Sequence, residues 1–429
     1  MTKPTGPACN LDCEYCYYLD KSELYPEKSQ YSMDEETLET FIRQYIEAQP
    51  GPVVSFAWQG GEPTLLGVEF FRTVVRLQEK YVPATKTVEN ALQTNGTLLD
   101  DEWGEFLTDN DFLVGISIDG PRKRHNRFRR TRTNGPTFDR VMDGLSILKD
   151  HDVEYNVLCV VNAINSHHPL EVYDFFLDHG SEWLQFIPLV EPINTETAPS
   201  NDDCDSPSDH GHRDMPSWVR DRGGDVTEQD PDFAAVATKA RTASVSARSV
   251  DPVQYGRFMA DIFDRWVRND IGRISIRLFD QCLERRLYDR ASLCLFRETC
   301  GSQVALEHNG DIYACDHYVD QGFKRGNIHE TPLANLVEST TQREFGQYKR
   351  DGLPARCHTC PVQAYCNGGC PKNWELVSPA GDPGLNYLCA GYRLFFTYVQ
   401  PYLNLFAASI DRGLPPTVVG ETVVRADSG

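Results

Sequence analysis

Three cysteines lie within eight positions near the start of the chain, in the stretch "CNLDCEYCYY" at residues 9–18. A structural zinc site or a saturated [4Fe–4S] cluster takes four protein ligands, so Cys9, Cys13 and Cys16 leave one position open. On a [4Fe–4S] cluster, that position is an iron able to bind a substrate or cofactor directly. The alternative is a zinc knuckle completed by a distant histidine, although zinc sites usually come as paired CxxC units.

A second group of eight cysteines lies between residues 294 and 389. Eight thiolates saturate two [4Fe–4S] clusters with four each. Two zinc sites that staple a small domain remain the alternative, because spacing alone does not name the metal. The members of this group are Cys294, Cys300, Cys315, Cys357, Cys360, Cys366, Cys370 and Cys389.

The elements that must position these residues alternate in type along the first half of the chain. Apolar, β-rich runs predict strands at 53–59, 88–94, 112–118, 153–161 and 183–190, with a short first strand before Cys9. Apolar positions at helical spacing predict helices at 33–48, 67–81, 138–151 and 253–269. Repeated strand–helix units with right-handed crossovers predict a parallel sheet curled into a partial (β/α)6 barrel of TIM type.

Loops after the carboxyl ends of barrel strands carry the chemistry in this architecture. Three short motifs fall there: "GGEP" at 60–63, "TNG" at 94–96 and "DG" at 119–120. The predicted organisation is the barrel at 1–191, a flexible acidic insertion at 192–250, a helical connection at 251–293, a cysteine-rich domain at 294–395, and a C-terminal helix with a disordered tail at 396–429.

The motif CxxxCxxC followed by an aromatic residue, with "GGEP" after the second strand, resembles the radical S-adenosylmethionine (SAM) superfamily. The resemblance implies that the open iron chelates S-adenosylmethionine and that an electron from the cluster splits its sulfonium bond. The eight later cysteines resemble the SPASM extension, which carries two auxiliary [4Fe–4S] clusters. That resemblance implies one ligand set of Cys294, Cys300, Cys315 and Cys370, and a second of Cys357, Cys360, Cys366 and Cys389.

Within this group the sequence is similar to anaerobic sulfatase-maturating enzymes. "FAWQGGEPTLLG", "LQTNGTLLDDEW", "FLVGISIDGP" and "DIYACDHYVDQGFKRGNI" follow in the family's order. The resemblance implies oxidation of a sulfatase Cys or Ser to formylglycine by a 5′-deoxyadenosyl radical. Asp316 matches the family's base, and an auxiliary cluster beside it would accept the second electron. Without the family, Asp316 would be interpreted as a solvated turn residue.

The same resemblance implies further contacts to the cofactor or the peptide. The matching positions are Tyr18, Gln59, Gly60, Gly61, Glu62, Ser117 and Arg129. Gly60 and Gly61 equally fit an ordinary turn at a strand end. The basic run 122–135 could suggest nucleic acid, but a solvated loop with one cofactor-facing arginine fits an acidic chain better.

Three cysteines stand apart from both groups. Cys159 lies in an apolar strand and behaves as a small buried hydrophobe. Cys282 has no assigned role, and Cys204 lies in the insertion beside His210 and His212, which are predicted to be solvent-exposed.

The overall charge argues against binding to nucleic acid or anionic membranes. Asp and Glu outnumber Lys and Arg by 63 to 42, a formal net charge of -21, whereas phosphates demand basic patches. Lysine is scarce beside arginine, which suggests adaptation to high salt. No charged-then-apolar leader precedes the cysteines, so we expect a cytoplasmic protein.

The expected partners are an unfolded or nascent sulfatase polypeptide as substrate and a flavodoxin or ferredoxin as electron donor, with the enzyme itself a monomer. Three other functions share features with this prediction. An enzyme that installs thioether or carbon–carbon crosslinks in a ribosomal peptide would share the fold and all three clusters. A multi-cluster electron carrier would saturate its irons, which the three-cysteine site contradicts. A scaffold stapled by zinc is the last alternative.

Overall fold

The computed structural model describes residues 1–25, 31–193 and 230–427. The chain forms two compact units. The first comprises Met1–Leu158 and Thr299–Tyr348, and the second comprises Cys159–Glu298 and Lys349–Gly429. These units differ from the five predicted segments, whose boundaries stay a prediction.

The strands in chain order are β1 Thr2–Lys3, β2 Val53–Trp58, β3 Thr87–Thr94, β4 Phe112–Ser117, β5 Tyr155–Val161, β6 Trp183–Pro188, β7 Ser275–Ile276, β8 Ala305–Glu307, β9 Asp311–Tyr313 and β10 Lys324–Asn327. The α-helices are α1 Glu35–Ala48, α2 Gly67–Tyr81, α3 Asp101–Asp109, α4 Arg122–Phe128, α5 Phe138–Asp150, α6 Pro169–Asp178, α7 Pro231–Arg241, α8 Pro252–Asn269, α9 Arg277–Tyr288, α10 Leu333–Val337, α11 Thr340–Asp351, α12 Gln363–Cys366, α13 Cys389–Asp411 and α14 Thr417–Asp427.

The first unit is built on a sheet in the order β10-β9-β8-β1-β2-β3-β4-β5. The pairs from β8 through β1 to β5 are parallel, whereas β8–β9 and β9–β10 are antiparallel. Alternate residues of β2, namely Val54, Phe56 and Trp58, are buried, as the period of a strand requires. Parallel pairing brings the carboxyl ends of β2, β3 and β4 to one edge, where the three short motifs lie.

Sequence patterns also explain where the helices of the first unit begin. Asp34 and Asp100 accept hydrogen bonds from the backbone N–H groups of Thr37 (2.8 Å) and Trp103 (3.1 Å), and so cap α1 and α3. The predicted helix at 67–81 matches α2, and 138–151 matches α5 to within one residue.

The second unit packs α8 against α13 through a close backbone approach. A Cβ atom on Gly391 would lie 2.0 Å from the carbonyl oxygen of Pro252, and one on Gly256 would lie 2.6 Å from that of Gly391. Aromatic rings fill the rest of this contact; those of Phe263 and Tyr402, for example, are 5.1 Å apart. In the same unit β6 pairs in parallel with β7.

The predicted disordered tail within 396–429 is wrong for residues 417–427, which form α14. Val419 and Val423, four residues apart, are buried. A Cβ on Gly420 would lie 2.6 Å from the carbonyl oxygen of Val267. A short apolar stripe and a small residue therefore let this helix pack on α8.

Part of the predicted flexible insertion is ordered as well. Residues 194–229, including Cys204, His210 and His212, lie outside the described residues. Beyond them, α7 buries Phe233 and Val236, and Asp230 caps it by accepting from the N–H of Asp232 at 2.9 Å. Within the described ranges, no helix is long and apolar enough to span a membrane.

Candidate active site

The three N-terminal cysteines lie in one loop of the first unit, where the N–H of Cys16 donates to the carbonyl of Cys13 at 2.9 Å. Burial, and then the carboxylate of Glu62 and the two other thiols, raise the pKa of Cys9 to about 12. Burial also raises the pKa of Cys13 to about 11, against the opposing charge of Arg129. Metal binding at these thiols therefore displaces protons, because thiolates are the ligands.

Two N–H groups point at the sulfur of Cys9. The backbone N–H of Leu11 lies 3.4 Å from Sγ and the side-chain amide of Asn95 lies 3.8 Å from it. The same amide donates to Asn10 at 2.8 Å, and Asn10 donates to Thr97 at 2.9 Å. Asn95 belongs to the "TNG" motif after β3, so its place was predicted, but its contact with Cys9 was not.

The "GGEP" turn is docked on the segment that leads into the cysteine loop. The N–H of Gly61 donates to the carbonyl of Gly6, and that of Glu62 to the carbonyl of Ala8, both at 2.8 Å. A Cβ on Gly61 would lie only 1.9 Å from the oxygen of Ala8. Gly60 has φ of 139°, a conformation that favours glycine. This turn is therefore a docking surface for the segment before Cys9.

The carboxylate of Glu62 is engaged in a buried hydrogen-bond network. Its Oε1 accepts from both the N–H (3.1 Å) and the hydroxyl (2.7 Å) of Thr64 and from the hydroxyl of Thr94 at 2.7 Å. Its Oε2 accepts from the N–H of Asn95 at 2.7 Å. Glu62 thus joins the turn after β2 to the turn after β3, and holds Asn95 beside Cys9.

Arg129 is buried and pairs with Asp119, a contact that the sequence did not predict. Its Nε–H donates to Asp119 at 3.0 Å, and Tyr15 donates to the same carboxylate oxygen. The guanidinium lies over the ring of Tyr15, 5.6 Å from its centroid. Asp119 belongs to the "DG" motif after β4, so again the position was predicted and the partner was not.

His125 supports this pair as a neutral imidazole. Its Nδ1 accepts from the backbone N–H of Asp119 at 3.3 Å, so its Nε2 carries the proton and donates to Thr137, 3.1 Å away. Burial, and then the charge of Arg129, lower the pKa of His125 to about 3.

The prediction of a solvated loop at 122–135 is wrong. Residues 122–128 form α4, whose His125 and Phe128 are buried, and the residues that follow clamp the cysteine loop. The N–H of Asp12 donates to the carbonyl of Arg130 at 2.8 Å, and that of Glu14 donates to the carbonyl of Phe128 at 3.0 Å. The Nε–H of Arg132 donates to the carbonyl of Cys9 at 2.8 Å. The basic charges concealed this role, because the backbone makes most of these contacts.

Asp316 follows Cys315 in the first unit and is buried. Its Oδ1 forms an ion pair with Lys3, and its Oδ2 accepts from the hydroxyl of Tyr17 at 2.7 Å. Burial alone would raise the pKa of Asp316, but the charges of Lys3 and His317 and these hydrogen bonds hold it below its ordinary value. The carboxylate is therefore ionised, which is the form that accepts a proton.

The remaining predicted contact residues have local partners. Tyr18 is 2% exposed, its hydroxyl donates to Glu307, and the ammonium of Lys3 lies 4.2 Å from its ring centroid. Ser117 accepts from Gln93 at 3.1 Å. The backbone N–H of Gln59 donates to the carbonyl of Thr2 at 2.9 Å. Their predicted roles toward cofactor or peptide stay predictions, and it is Tyr17 rather than Tyr18 that contacts Asp316.

One of the two predicted auxiliary sets lies wholly in the second unit, and its members affect one another's ionisation. Burial, and then Cys389, Cys357 and Cys360, raise the pKa of Cys366. Burial and then Cys360 raise that of Cys357 to about 11. These effects place the four cysteines within range of one another's charges, and their role as one ligand set stays a prediction.

The other predicted set is divided between the units and stays a prediction. Cys294 and Cys370 lie in the second unit, where the charge of Cys294 contributes to a raised pKa of Cys370, after burial. Cys300 and Cys315 lie in the first unit, and the N–H of Cys300 donates to Gly346 at 3.1 Å. In the described part of the chain, no three His, Cys, Asp or Glu side chains are grouped to hold a single metal ion. Cys159 and Cys282 are each 1% exposed.

Comparisons with known proteins match this arrangement over most of the chain. The Radical SAM superfamily model matches residues 4–176, and the SPASM model, an iron-sulfur cluster-binding domain, matches residues 294–361. The serine-type anaerobic sulfatase-maturating enzyme of Bacteroides thetaiotaomicron is 39% identical over 94% of this chain and 90% of its own length. The cysteine-type enzyme of Clostridium perfringens strain 13 is 32% identical over 96% and 98%.

A solved structure resembles the chain over nearly the same extent. It is described as "Native anSMEcpe with bound AdoMet and Cp18Cys peptide" and superposes with a TM-score of 0.77 at 31% identity, covering 95% of this chain and 98% of that one.

Proposed function

The chain belongs to the radical SAM superfamily and, within it, to the anaerobic sulfatase-maturating enzymes, and from this premise we propose how its residues divide the work of the reaction. The enzyme is an oxidoreductase that converts a Cys or Ser of a sulfatase into formylglycine, with S-adenosylmethionine and [4Fe–4S] clusters as cofactors. The observation that carries this function is the 39% identity to a serine-type enzyme over 94% of the chain. It favours formylglycine formation over crosslink installation or electron carriage.

The first site fits a cluster with one open iron. Cys9, Cys13 and Cys16 supply three thiols, and Leu11 and Asn95 supply N–H groups toward the sulfur of Cys9. The nearby carboxylate of Glu62 is already engaged by four hydrogen bonds. When bound, the cofactors supply the radical that removes a hydrogen atom from the substrate Cβ and accept the electron that the oxidation leaves.

The residues around that site are proposed to bind and orient the cofactor and the substrate peptide. We assign the cofactor contacts to Gly60, Gly61, Ser117 and Arg129, with Gln59 and Tyr18 lining the cofactor or peptide site and Glu62 shaping it. The bond to Asp119 uses the Nε–H of Arg129 and leaves its terminal amino groups as donors for a carboxylate. Close packing of Gly61 on Ala8 supports the assignment of the turn, since it fixes exposed backbone groups next to Cys9.

Asp316 is the proposed base. It takes the proton from the hydroxyl or thiol of the substrate residue, so that the loss of one hydrogen atom, one proton and one electron leaves a carbon–oxygen or carbon–sulfur double bond. A thioaldehyde formed from Cys then hydrolyses to the same aldehyde. The ionised state of the Asp316 carboxylate and its position beside Cys315 support the role of base.

The remaining assignments follow the family. Cys357, Cys360, Cys366 and Cys389 would hold one auxiliary cluster, supported by their mutual effect on ionisation. Cys294, Cys300, Cys315 and Cys370 would hold the other. We also propose a monomer in the cytoplasm, supplied with electrons by a flavodoxin or ferredoxin and acting on an unfolded or nascent sulfatase. Cysteines used as metal ligands support a reducing compartment.

The test of Asp316 is an anaerobic assay of the reconstituted enzyme with reductant, S-adenosylmethionine and sulfatase-motif peptides that carry either Ser or Cys. Asp316→Asn should still form 5′-deoxyadenosine, but aldehyde formation should fall by about 10²-fold or more, as loss of a general base does. The matched control is Asp320→Asn, which changes the same charge at an exposed position four residues away. Aldehyde formation at the wild-type rate in Asp316→Asn would remove Asp316 from the reaction.

A further inference from the structure

We propose that Lys3 is a positioning residue for the oxidation, one that holds the Asp316 carboxylate in a single orientation. The inference rests on the proposed role of Asp316 as base. The side chain of Lys3 is 1% exposed, and its ammonium contacts Oδ1 of Asp316 while Tyr17 occupies Oδ2 at 2.7 Å. An ion pair at one oxygen and a hydrogen bond at the other fix the rotation of the carboxylate and leave its remaining lone pairs for the incoming proton.

The fold fixes the position of the lysine itself. Lys3 ends β1, which lies between β2 and β8, and its register partner in β8 is Glu307. Its carbonyl accepts from the N–H of Gly6 at 3.0 Å. A Cβ on Gly60 would come within 3.4 Å of both Cα and Cδ of Lys3. The backbone and the stem of this lysine are therefore closely packed, so its ammonium has a defined place.

The surroundings explain why a charge is tolerated there. An ammonium removed from water is costly unless it is paired. Asp316 pairs with Lys3 directly, the face of the Tyr18 ring lies 4.2 Å from the ammonium, and Glu307 lies near enough for the two charges to interact. A purely structural demand at this buried strand position would be met by an apolar residue.

Orientation matters for the proton step more than for radical formation. Proton transfer requires a carboxylate oxygen within hydrogen-bond reach of the substrate, and a displacement of about 1 Å can cost about 10²-fold in rate. Among the described residues, Lys3 forms no hydrogen bond or ion pair with the three cysteines of the first site. Burial raises the pKa of Cys16, and the charge of Lys3 opposes that shift less than the charge of Arg129 does. Loss of the Lys3 ammonium should therefore leave cleavage of S-adenosylmethionine intact while aldehyde formation declines.

The test measures the ratio of aldehyde to 5′-deoxyadenosine in Lys3→Met, an uncharged side chain of similar length. We expect wild-type iron content and deoxyadenosine formation, with the ratio lowered by roughly 10- to 100-fold. Lys86→Met is the matched control, because Lys86 donates to backbone carbonyls of the same unit, among them that of Ile46 at 2.7 Å. Lys3→Arg retains the positive charge and should give a higher ratio of aldehyde to 5′-deoxyadenosine than Lys3→Met. Adding Asp316→Asn to Lys3→Met should lower the ratio no further than Asp316→Asn alone.

Two outcomes would overturn the inference by itself, and two others would refute the function or the base on which it rests. An unchanged ratio in Lys3→Met with full iron content would show that Lys3 does not position the base. Parallel loss of iron and deoxyadenosine in both Lys3 variants would show a structural role. Absence of aldehyde in the wild-type arm would refute the function itself, and a fully active Asp316→Asn would refute the base; either result removes the step in which Lys3 is placed.

Discussion

The sulfur of Cys9 shows how much of this site depends on single polar side chains. It faces the N–H of Leu11 and the amide of Asn95, and Asn95 is held in turn by Glu62. Hydrogen bonds to cluster sulfurs stabilise the reduced, more negative state. We therefore expect Asn95 to tune the potential of the first cluster.

Replacing Asn95 by Ala should make the potential of the first cluster more negative. We expect a shift on the order of 40 mV, equivalent to roughly 1 kcal/mol for a one-electron couple. The measurement is a redox titration followed by electron paramagnetic resonance, with the auxiliary clusters removed by substituting their cysteines. Asn110→Ala is the control, since Asn110 donates to the carbonyl of Phe106 on α3. A potential equal to that of the control would contradict the account of Asn95.

Spacing in the sequence was enough to find the cysteines, because their separations alone resemble a known ligand pattern. It was not enough to find Lys3, or the partners of Asn95 and Asp119, whose positions the short motifs did predict. Each of these acts through a partner far away in sequence, such as Lys3 with Asp316. Long-range contacts of this kind depend on the three-dimensional fold, and no local pattern encodes them.

Among the elements, the turn after β2 packs directly against the backbone of the segment before Cys9. Gly61 leaves no room for a side chain, because its Cβ would lie 1.9 Å from the carbonyl oxygen of Ala8. The cysteine loop is thus held between this turn and the segment after α4, which binds it through Asp12 and Glu14.

Gly61→Ala should displace the segment that leads into Cys9 and prevent assembly of the first cluster. We expect iron to fall from about twelve atoms per chain to about eight, since each [4Fe–4S] cluster holds four, together with loss of 5′-deoxyadenosine formation. Gly51→Ala is the control, because a Cβ on Gly51 meets nothing within 4 Å. Iron and sulfide analysis checks the result, and about twelve irons with normal cofactor cleavage in Gly61→Ala would contradict it.

The predicted strands agree with the observed ones to within about two residues, because apolar periodicity dominates in the core. Helix α4 was missed because its basic residues conceal a buried pair, His125 and Phe128. Helix α14 was missed because, among its residues of described burial, the buried side chains of the apolar stripe are only Val419 and Val423. Short helices that rely on tertiary contacts give weak signals in sequence.

For the molecule as a whole, charge is the dominant feature. A formal net charge of -21 leaves many carboxylates facing one another. Exposed ion pairs, such as Arg76 with Glu35, contribute little, so self-repulsion should decide how the protein responds to salt.

Raising KCl from 0.05 M to 1 M should therefore increase the melting temperature, because salt screens repulsion between exposed charges. The expected rise is on the order of 2 °C, equivalent to roughly 2 kcal/mol for a chain of this length. Anaerobic calorimetry measures it, and sucrose at equal osmolality controls for exclusion of solutes from the surface. A melting temperature that falls with KCl would show that attractive pairs outweigh the repulsion.

The central claim is that this enzyme oxidises a sulfatase residue to formylglycine. The most direct measurement is mass spectrometry of a sulfatase-motif peptide, in its Ser and Cys forms, after anaerobic incubation with the reduced wild-type enzyme and S-adenosylmethionine. We expect 5′-deoxyadenosine together with an aldehyde that reacts with a hydrazine probe, formed from at least one of the two peptides. Deoxyadenosine formed while both peptides remain unmodified would contradict it.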